Sequence, residues 1–237
     1  MRSAARSSLP PSTGILGRGE IITRLKARSL VVSPILSREQ LGAASIDLRV
    51  GTVVLMVRAR GSSHVDPTAY KVHGKKSVSY AMQLDQRQKH ERYEIPFEQR
   101  FLLHPGTVAL VPTLEWVRLP LDLHGYVTAR STWAREGLSI ATAAFIEPRY
   151  QGIITLELSN LGQVALALYP GLRIAQIAFA TVHGDTAVPH KKQFEFSFEP
   201  KQGDIAKEDD YPFIPSPEKK ATRASRSHGR RRAAIGP

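Results

Sequence analysis

The chain contains no cysteine. That absence removes any disulfide framework, which fits the cytoplasm. It also removes the ligand set of the zinc nucleobase deaminases, which hold their metal with His/Cys/Cys or three cysteines. Any deamination performed here must activate water with side chains and backbone alone, without zinc. No apolar run reaches the length of a membrane span, so no membrane contact is expected. Residues 1–14 are rich in Ser, Arg and Pro and lack the apolar centre of a secretory signal; they read as a disordered leader. What is present suits a globular domain with tails: 237 residues, 42% hydrophobic and 23% charged.

Acids are missing from one further place. Lys219, Lys220, Arg223, Arg226, Arg230, Arg231 and Arg232 follow one another with no Asp or Glu among them. The formal charge of +12 falls to +5 without these seven. The remaining excess suits an anionic substrate but specifies none. Such a tail, residues 212–237, is ordinarily a solvated disordered appendage; the alternative is contact with nucleic acid or another acidic partner.

Ile21, Ile22 and Leu25 fall at helical spacing, with Leu30 off the stripe, which predicts a short helix starting near Glu20. From Ser45 onward the pattern turns to short β-rich runs: Ser45–Leu48, Thr52–Arg58, Phe101–Leu103, Thr107–Pro112, Gly125–Ala129, Ile140–Ala144, Ile153–Leu158, Val164–Leu168 and Arg173–Thr181. Pro105-Gly106 and Pro170-Gly171 suit type II turns between such runs. Many short strands argue for a mainly β sandwich or barrel rather than βαβ units. Residues 61–100 read as loops with room for one helix. The alternation Phe194/Phe196/Phe198 suggests one edge strand laid on another surface.

Chemistry concentrates in one stretch. A strand ending at Ala129 runs into Arg130-Ser131-Thr132-Trp133-Ala134-Arg135, two hydroxyls between two arginines. Guanidinium forks and hydroxyls are donors for phosphate oxygens, although surface arginines more commonly make ion pairs. Downstream, Glu157 shares a strand face with Ile153 and Thr155, while Ile154, Leu156 and Leu158 take the other. A lone glutamate so placed is ordinarily solvated; the functional alternative is a half-buried carboxylate with a raised pKa that moves protons. Glu147, between Ile146 and Pro148, suits a turn cap, or a receiver for a sugar hydroxyl.

These segments resemble the signature of the dCTP deaminase family of the dUTPase-like superfamily. Arg130-Ser131-Thr132-Trp133-Ala134-Arg135-Glu136-Gly137-Leu138 is similar to its Arg-Ser-Ser-Leu-Ala/Gly-Arg-Leu-Gly-Leu. Thr142-Ala143, Ile146-Glu147-Pro148, Gly152 and Leu156-Glu157-Leu158-Ser159-Asn160 follow in order. Ser45-Ile46-Asp47-Leu48-Arg49, His104-Pro105-Gly106, Thr113-Leu114-Glu115, Leu119-Pro120 and Pro170-Gly171-Leu172-Arg173-Ile174-Ala175-Gln176 flank them, so the resemblance runs from Ile15 to Val182. It implies a mainly β, distorted β-barrel or jelly-roll fold with a short N-terminal helix, assembled as a homotrimer with sites between subunits. The domain would span residues 15–185, with a divergent closing segment at 186–211.

The resemblance also implies roles. Glu157 is the general acid/base; Ser131 and the Ala143 carbonyl hold the attacking water; Arg135 supports the same network. Arg130, Ser131, Thr132, Trp133, Ala134 and Arg135 line the nucleotide, Glu147 receives the sugar hydroxyl, and the Thr155 and Leu156 backbone reads the base. Mg²⁺ accompanies the substrate triphosphate, and Gln202 is a candidate for closing over it, as are Lys191 and Lys192. The implied reaction is deamination of dCTP to dUTP. A rival form also cleaves the triphosphate of a deoxycytidine or deoxyuridine nucleotide to give dUMP, and a rival of another class binds nucleotide without turnover. Glu147 in place of Asp, Arg149 where the family has Gly, and the divergent closing segment favour the latter; retained Ser131, Arg135 and Glu157 oppose it, and Trp133 and Glu136 replace leucines. The stretch from Gly137 to Pro148 is one residue shorter, and no His lies between His124 and His183.

Overall fold

The computed structural model describes residues 14–58, 90–141, 143–186 and 196–201. The chain divides into two compact units, residues 1–57 with 91–201 and residues 58–90 with 202–237, and nearly all described residues belong to the first. The expected leader (1–14), closing segment (186–211) and basic tail lie largely or wholly outside the described residues, as does Gln202.

Helix α1 (Arg18–Lys26) buries Ile21 and stops where Arg28 turns to a φ of 56°. Leu30 lies beyond it and is fully buried, so the break in the apolar stripe marked the helix end. Arg24 pins the helix, reaching Glu20 at 2.9 Å and Asp122 at 2.7 Å.

Among the described residues, twelve strands follow. The larger sheet has the order β4 (His90–Glu94), β3 (Val53–Val57), β6 (Val108–Arg118), β10 (Gln151–Asn160) and β8 (Leu138–Ile140), with β1 (Val31–Ser33) also pairing β6. The second sheet runs β2 (Ile46–Arg49), β12 (Arg173–Thr181), β7 (Leu123–Ala129) and β9 (Phe145–Ile146). β5 (Phe101–Leu103) and β11 (Leu166–Leu168) form a two-stranded sheet. The pairings between these strands are antiparallel, and the architecture is mainly β, as the succession of short strand-like runs implied. β10 shows why alternation works as a signal: Ile154, Leu156 and Leu158 are at most 2% exposed, whereas Thr155, Glu157 and Ser159 are half-buried. Inward residues of both sheets, including Val111, Val117, Ile174, Ile177 and Phe179, share one core. Removing a ring such as that of Phe179 would cost about 3–5 kcal/mol.

Both Pro-Gly pairs make the turns expected. Thr107 N–H donates to His104 C=O at 3.2 Å and Leu172 N–H to Tyr169 C=O at 3.1 Å, with Gly106 and Gly171 at φ 72° and 88°.

Three expectations need correction. His90–Glu94, inside the span read as loops, is a strand; its polar residues, none of them buried, gave no apolar alternation to detect. Residues 140–144 are not one strand: β8 ends at Ile140 in the first sheet and β9 begins at Phe145 in the second, so the chain crosses between sheets through the intervening alanines. Around Phe196 and Phe198 there is a turn, with Phe196 at φ 54° and both rings exposed. That segment nevertheless clips onto β10, since Phe196 N–H donates to Gln151 C=O at 2.7 Å and Ile153 N–H to Ser197 C=O at 3.1 Å.

Candidate functional site

The crossing between sheets creates the site. Antiparallel pairing sets Ile140 opposite Leu158, and Ala141 N–H extends the ladder by one bond, to Glu157 C=O at 2.8 Å. The chain then leaves the sheet, and the Ala143 N–H donates to the Glu157 carboxylate. Glu157 is half-buried, and this burial pushes its carboxyl above the ordinary range; the Ala143 N–H pulls it part of the way back. A carboxyl poised in this way can take a proton from water and return it.

The backbone beside Glu157 is oriented by the pairing of β10. Ile154 N–H points toward β6, where it meets Thr113 Oγ1 at 3.0 Å. Backbone groups of alternate residues face alternate edges of a strand. Gln151 and Ile153 face the opposite edge, where residues 196–197 bind them, and Glu157 faces it too, toward Ala141. Thr155 therefore presents its N–H and C=O on that same edge, in the interval between the two attachments. Two residues of strand, about 7 Å, separate Thr155 from Glu157. The Leu156 side chain is fully buried in the core, leaving only its main chain for contact.

Helix α2 (Ser131–Arg135) carries the hydroxyls and arginines. Trp133 packs against the core and anchors it, while Ser131, Thr132, Ala134 and Arg135 are exposed. α2 joins the sheet through Leu138 opposite Asn160, three residues or about 10 Å of strand beyond Glu157. Gly137 makes this junction possible: its φ is 90°, and a Cβ there would sit 2.6 Å from Gly162 N. Asn160 locks the other side, donating to Leu103 and Val164 carbonyls at 2.8 Å each and accepting Gly162 N–H at 2.8 Å. Arg130 makes the ion pair that is the commoner fate of such a side chain, lying 3.4 Å from Asp47, which also receives Arg173 at 3.3 Å. No local signal in the sequence pointed to this pairing, because Asp47 is remote along the chain.

Glu147 is exposed at the head of a turn in which Tyr150 N–H donates to Glu147 C=O at 3.2 Å. Pro148 and Arg149 occupy its centre, and Arg149 takes a φ of 69°, the conformation for which glycine is suited. Tyr150, not singled out from sequence, braces the turn by donating from its hydroxyl to Ile153 C=O. Phe145, two residues before Glu147, stacks on His124 at 5.0 Å and meets Tyr126 edge-on at 5.9 Å, forming an exposed aromatic cluster. Among the described residues no group of three or more His, Asp or Glu side chains is placed to hold a metal. No described helix is long and apolar enough to cross a membrane.

The family pattern described as dCTP deaminase-like matches residues 15–182. A protein from Dictyoglomus turgidum named dCTP deaminase, dUMP-forming, is 35% identical over 194 residues, 81% of this chain and 93% of that one. A dCTP deaminase from Pectobacterium atrosepticum is 34% identical over 178 residues, 75% of this chain and 89% of that one. The crystal structure of 2'-deoxycytidine 5'-triphosphate deaminase from Agrobacterium tumefaciens superposes with a TM-score of 0.53 at 25% identity, covering 72% of this chain. This chain spans about half, 49%, of the length of that solved one. A match over most of the chain, in a fold that sets Ala143 against Glu157 on an interior strand of the larger sheet, leads to one assignment: the chain belongs to the dCTP deaminase family.

Proposed function

We propose that this protein is a dCTP deaminase, converting dCTP and water to dUTP and ammonia. The observation that carries the reading is Glu157: a half-buried carboxyl, pushed up by burial, beside Ala143 and on the strand edge where Thr155 offers one donor and one acceptor. Thr155 N–H and C=O complement the acceptor and donor on the Watson–Crick edge of cytosine, and uracil reverses part of that pattern.

In this mechanism Glu157 removes a proton from a water held by Ser131 and the Ala143 carbonyl. The water oxygen bonds to C4 of the cytosine ring. Glu157 delivers that proton to N3, takes the second proton from the new C4 hydroxyl and passes it to the departing amine; the C4–N4 bond breaks, C4 keeps a carbonyl oxygen, and ammonia leaves. Arg135 steadies the charge that develops. Because α2 joins the sheet well beyond Glu157 and holds Ser131 and Arg135 exposed, we assign these two groups to the site of a neighbouring subunit in a homotrimer. Arg130, just before that helix, and Thr132, Trp133 and Ala134 within it line the nucleotide. Glu147 receives the sugar hydroxyl, and Gln202 is a candidate for closing over the phosphates. Mg²⁺ enters as the counter-ion of the triphosphate; no side-chain cluster on this chain is needed for it.

A second reading is favoured by the Dictyoglomus relative, whose name includes dUMP formation. In that form a second water also cleaves the triphosphate, giving dUMP and pyrophosphate. A binding protein without turnover is the third. Incubating the protein with dCTP or dUTP and Mg²⁺, with ammonia and pyrophosphate followed separately, decides among them. Ammonia alone from dCTP supports the proposal. Ammonia with pyrophosphate supports the second form. Nucleotide binding with neither product would overturn the enzymatic reading.

A further inference from the structure

Thr113-Leu114-Glu115 and Ser45-Ile46-Asp47-Leu48-Arg49 resemble family segments, yet the mechanism above gives them no role. They meet in the interior. Along β10 the pairing with β6 passes from Ile153 opposite Trp116 to Thr155 opposite Pro112, so β6 carries two additional residues at that point. Such a bulge bends the strand and leaves a ladder group without its backbone partner. Thr113 supplies the replacement: its hydroxyl accepts Ile154 N–H at 3.0 Å and donates to Glu115 C=O at 2.7 Å. The Glu115 carboxylate in turn accepts Arg49 N–H at 2.8 Å and Gln40 Nε2 at 2.8 Å, and Arg49 Nη1 lies 3.3 Å away. Thr113 is 2% exposed, and Gln40 and Glu115 are fully buried. On the neighbouring segment, Gly51 N–H holds Pro112 C=O at 2.8 Å. The bulge is thus fixed from within by a closed polar network. The first residue beyond it is Thr155, and the next on the same face is Glu157.

We infer that Thr113 is a positioning residue for deamination, acting through Ile154 to set the Thr155–Glu157 edge against Ala143. The hydroxyl, and not merely a side chain of that volume, fixes where β10 resumes its ladder. Valine has nearly the same shape and can neither accept from Ile154 nor donate to Glu115. Serine keeps both bonds.

This inference rests on the proposed deaminase reading. The test uses the full chain with dCTP and Mg²⁺ and compares wild type, Thr113→Val and Thr113→Ser. Ammonia release gives kcat and KM across pH, and thermal melting is measured alongside. Thr113→Val is expected to lower kcat by at least about tenfold, with a smaller change in KM. The pH at which Glu157 limits the rate should shift as well, because its contact with Ala143 changes. Thr113→Ser should return kcat to within about threefold of wild type. Should Thr113→Val fail to fold, Thr113→Cys, a weaker acceptor in the same space, takes its place with the same expectations. A variant that melts earlier but keeps wild-type kcat and pH profile overturns the inference. So does a Thr113→Ser protein as impaired as the valine or cysteine variant. A wild-type chain that releases no ammonia removes the deaminase reading and this inference together, whereas an active wild type with an unimpaired valine variant removes only the inference.

Discussion

Arg49→Met tests how the interior of this fold tolerates charge. Glu115 is fully buried, and burial pushes its carboxyl up, with Arg49 opposing that rise. Methionine fills most of the space of the arginine and removes only the guanidinium. The carboxylate then keeps the Arg49 position's backbone N–H and Gln40 Nε2, each at 2.8 Å, and loses its counter-charge at 3.3 Å. Breaking a buried pair from one side costs about 3–5 kcal/mol, and the two surviving donors place this case near the lower end, about 3 kcal/mol. For a domain of this size that corresponds to a fall in Tm of roughly 6–12 °C. The loss must also depend on pH in a definite sense. A carboxyl whose pKa is raised by folding binds its proton more tightly in the native state, so the native state gains as pH falls and loses as pH rises through the interval between the unfolded and folded values. Without Arg49 the folded value rises further. The difference in Tm between Arg49→Met and wild type should therefore be larger at pH 8 than at pH 5. Scanning calorimetry at both values checks this. A difference equal at the two pH values, or a variant as stable as wild type at pH 8, would refute the account of a carboxylate held ionised by Arg49.

Glu157→Gln should reduce ammonia release by about 10²–10⁴-fold while dCTP binding, measured by calorimetry, persists. Because the Glu157 carboxyl is pushed up and must be ionised to act as base, wild-type kcat should fall on the acid side at a pH above the ordinary carboxylate range, and this limb should be absent from the residual rate of Glu157→Gln. Arg149→Gly should raise Tm by about 1–4 °C: left-handed backbone costs an L-residue about 1–2 kcal/mol, offset in part by the larger unfolded entropy of glycine. Asn160→Ala, which strips one buried and two partly buried hydrogen bonds from the junction of α2 with β10, should lower stability by about 2–3 kcal/mol in urea melts.

Strands that face the core on one side were legible because burial imposes a period of two, as in β10 and β12, and the Pro-Gly turns were legible because their geometry demands those residues; β6 (Val108–Arg118) runs on through the bulge at Thr113, past the Thr107–Pro112 read from sequence. β4 was not, since its side chains are polar on both faces and nothing forces an alternation. The crossing from β8 to β9 was hidden because alanine suits a strand, a turn or a crossing equally. Glu157 stood out only through resemblance; its half-burial and its contact with Ala143 depend on where a remote segment leaves the sheet. Arg49 and Glu115 entered only as parts of segments resembling the family, and their meeting in the interior depends on the fold bringing residues remote in sequence together.

The exposed edge of Thr155 lies between two attachments, residues 196–197 on one side and Ala141 on the other. The proposed reading of the base by peptide groups would have a consequence for how such a protein can diverge. Every amino acid except proline carries the same N–H and C=O, so replacing Thr155 alters the surroundings of a base without rewriting the pattern that reads it. A change of base preference would have to come from a change in the path of the strand, through insertions, deletions or substitutions at the bulge. Point mutation at the contact itself would tune rate and affinity, and the choice between pyrimidines would drift only when the backbone does.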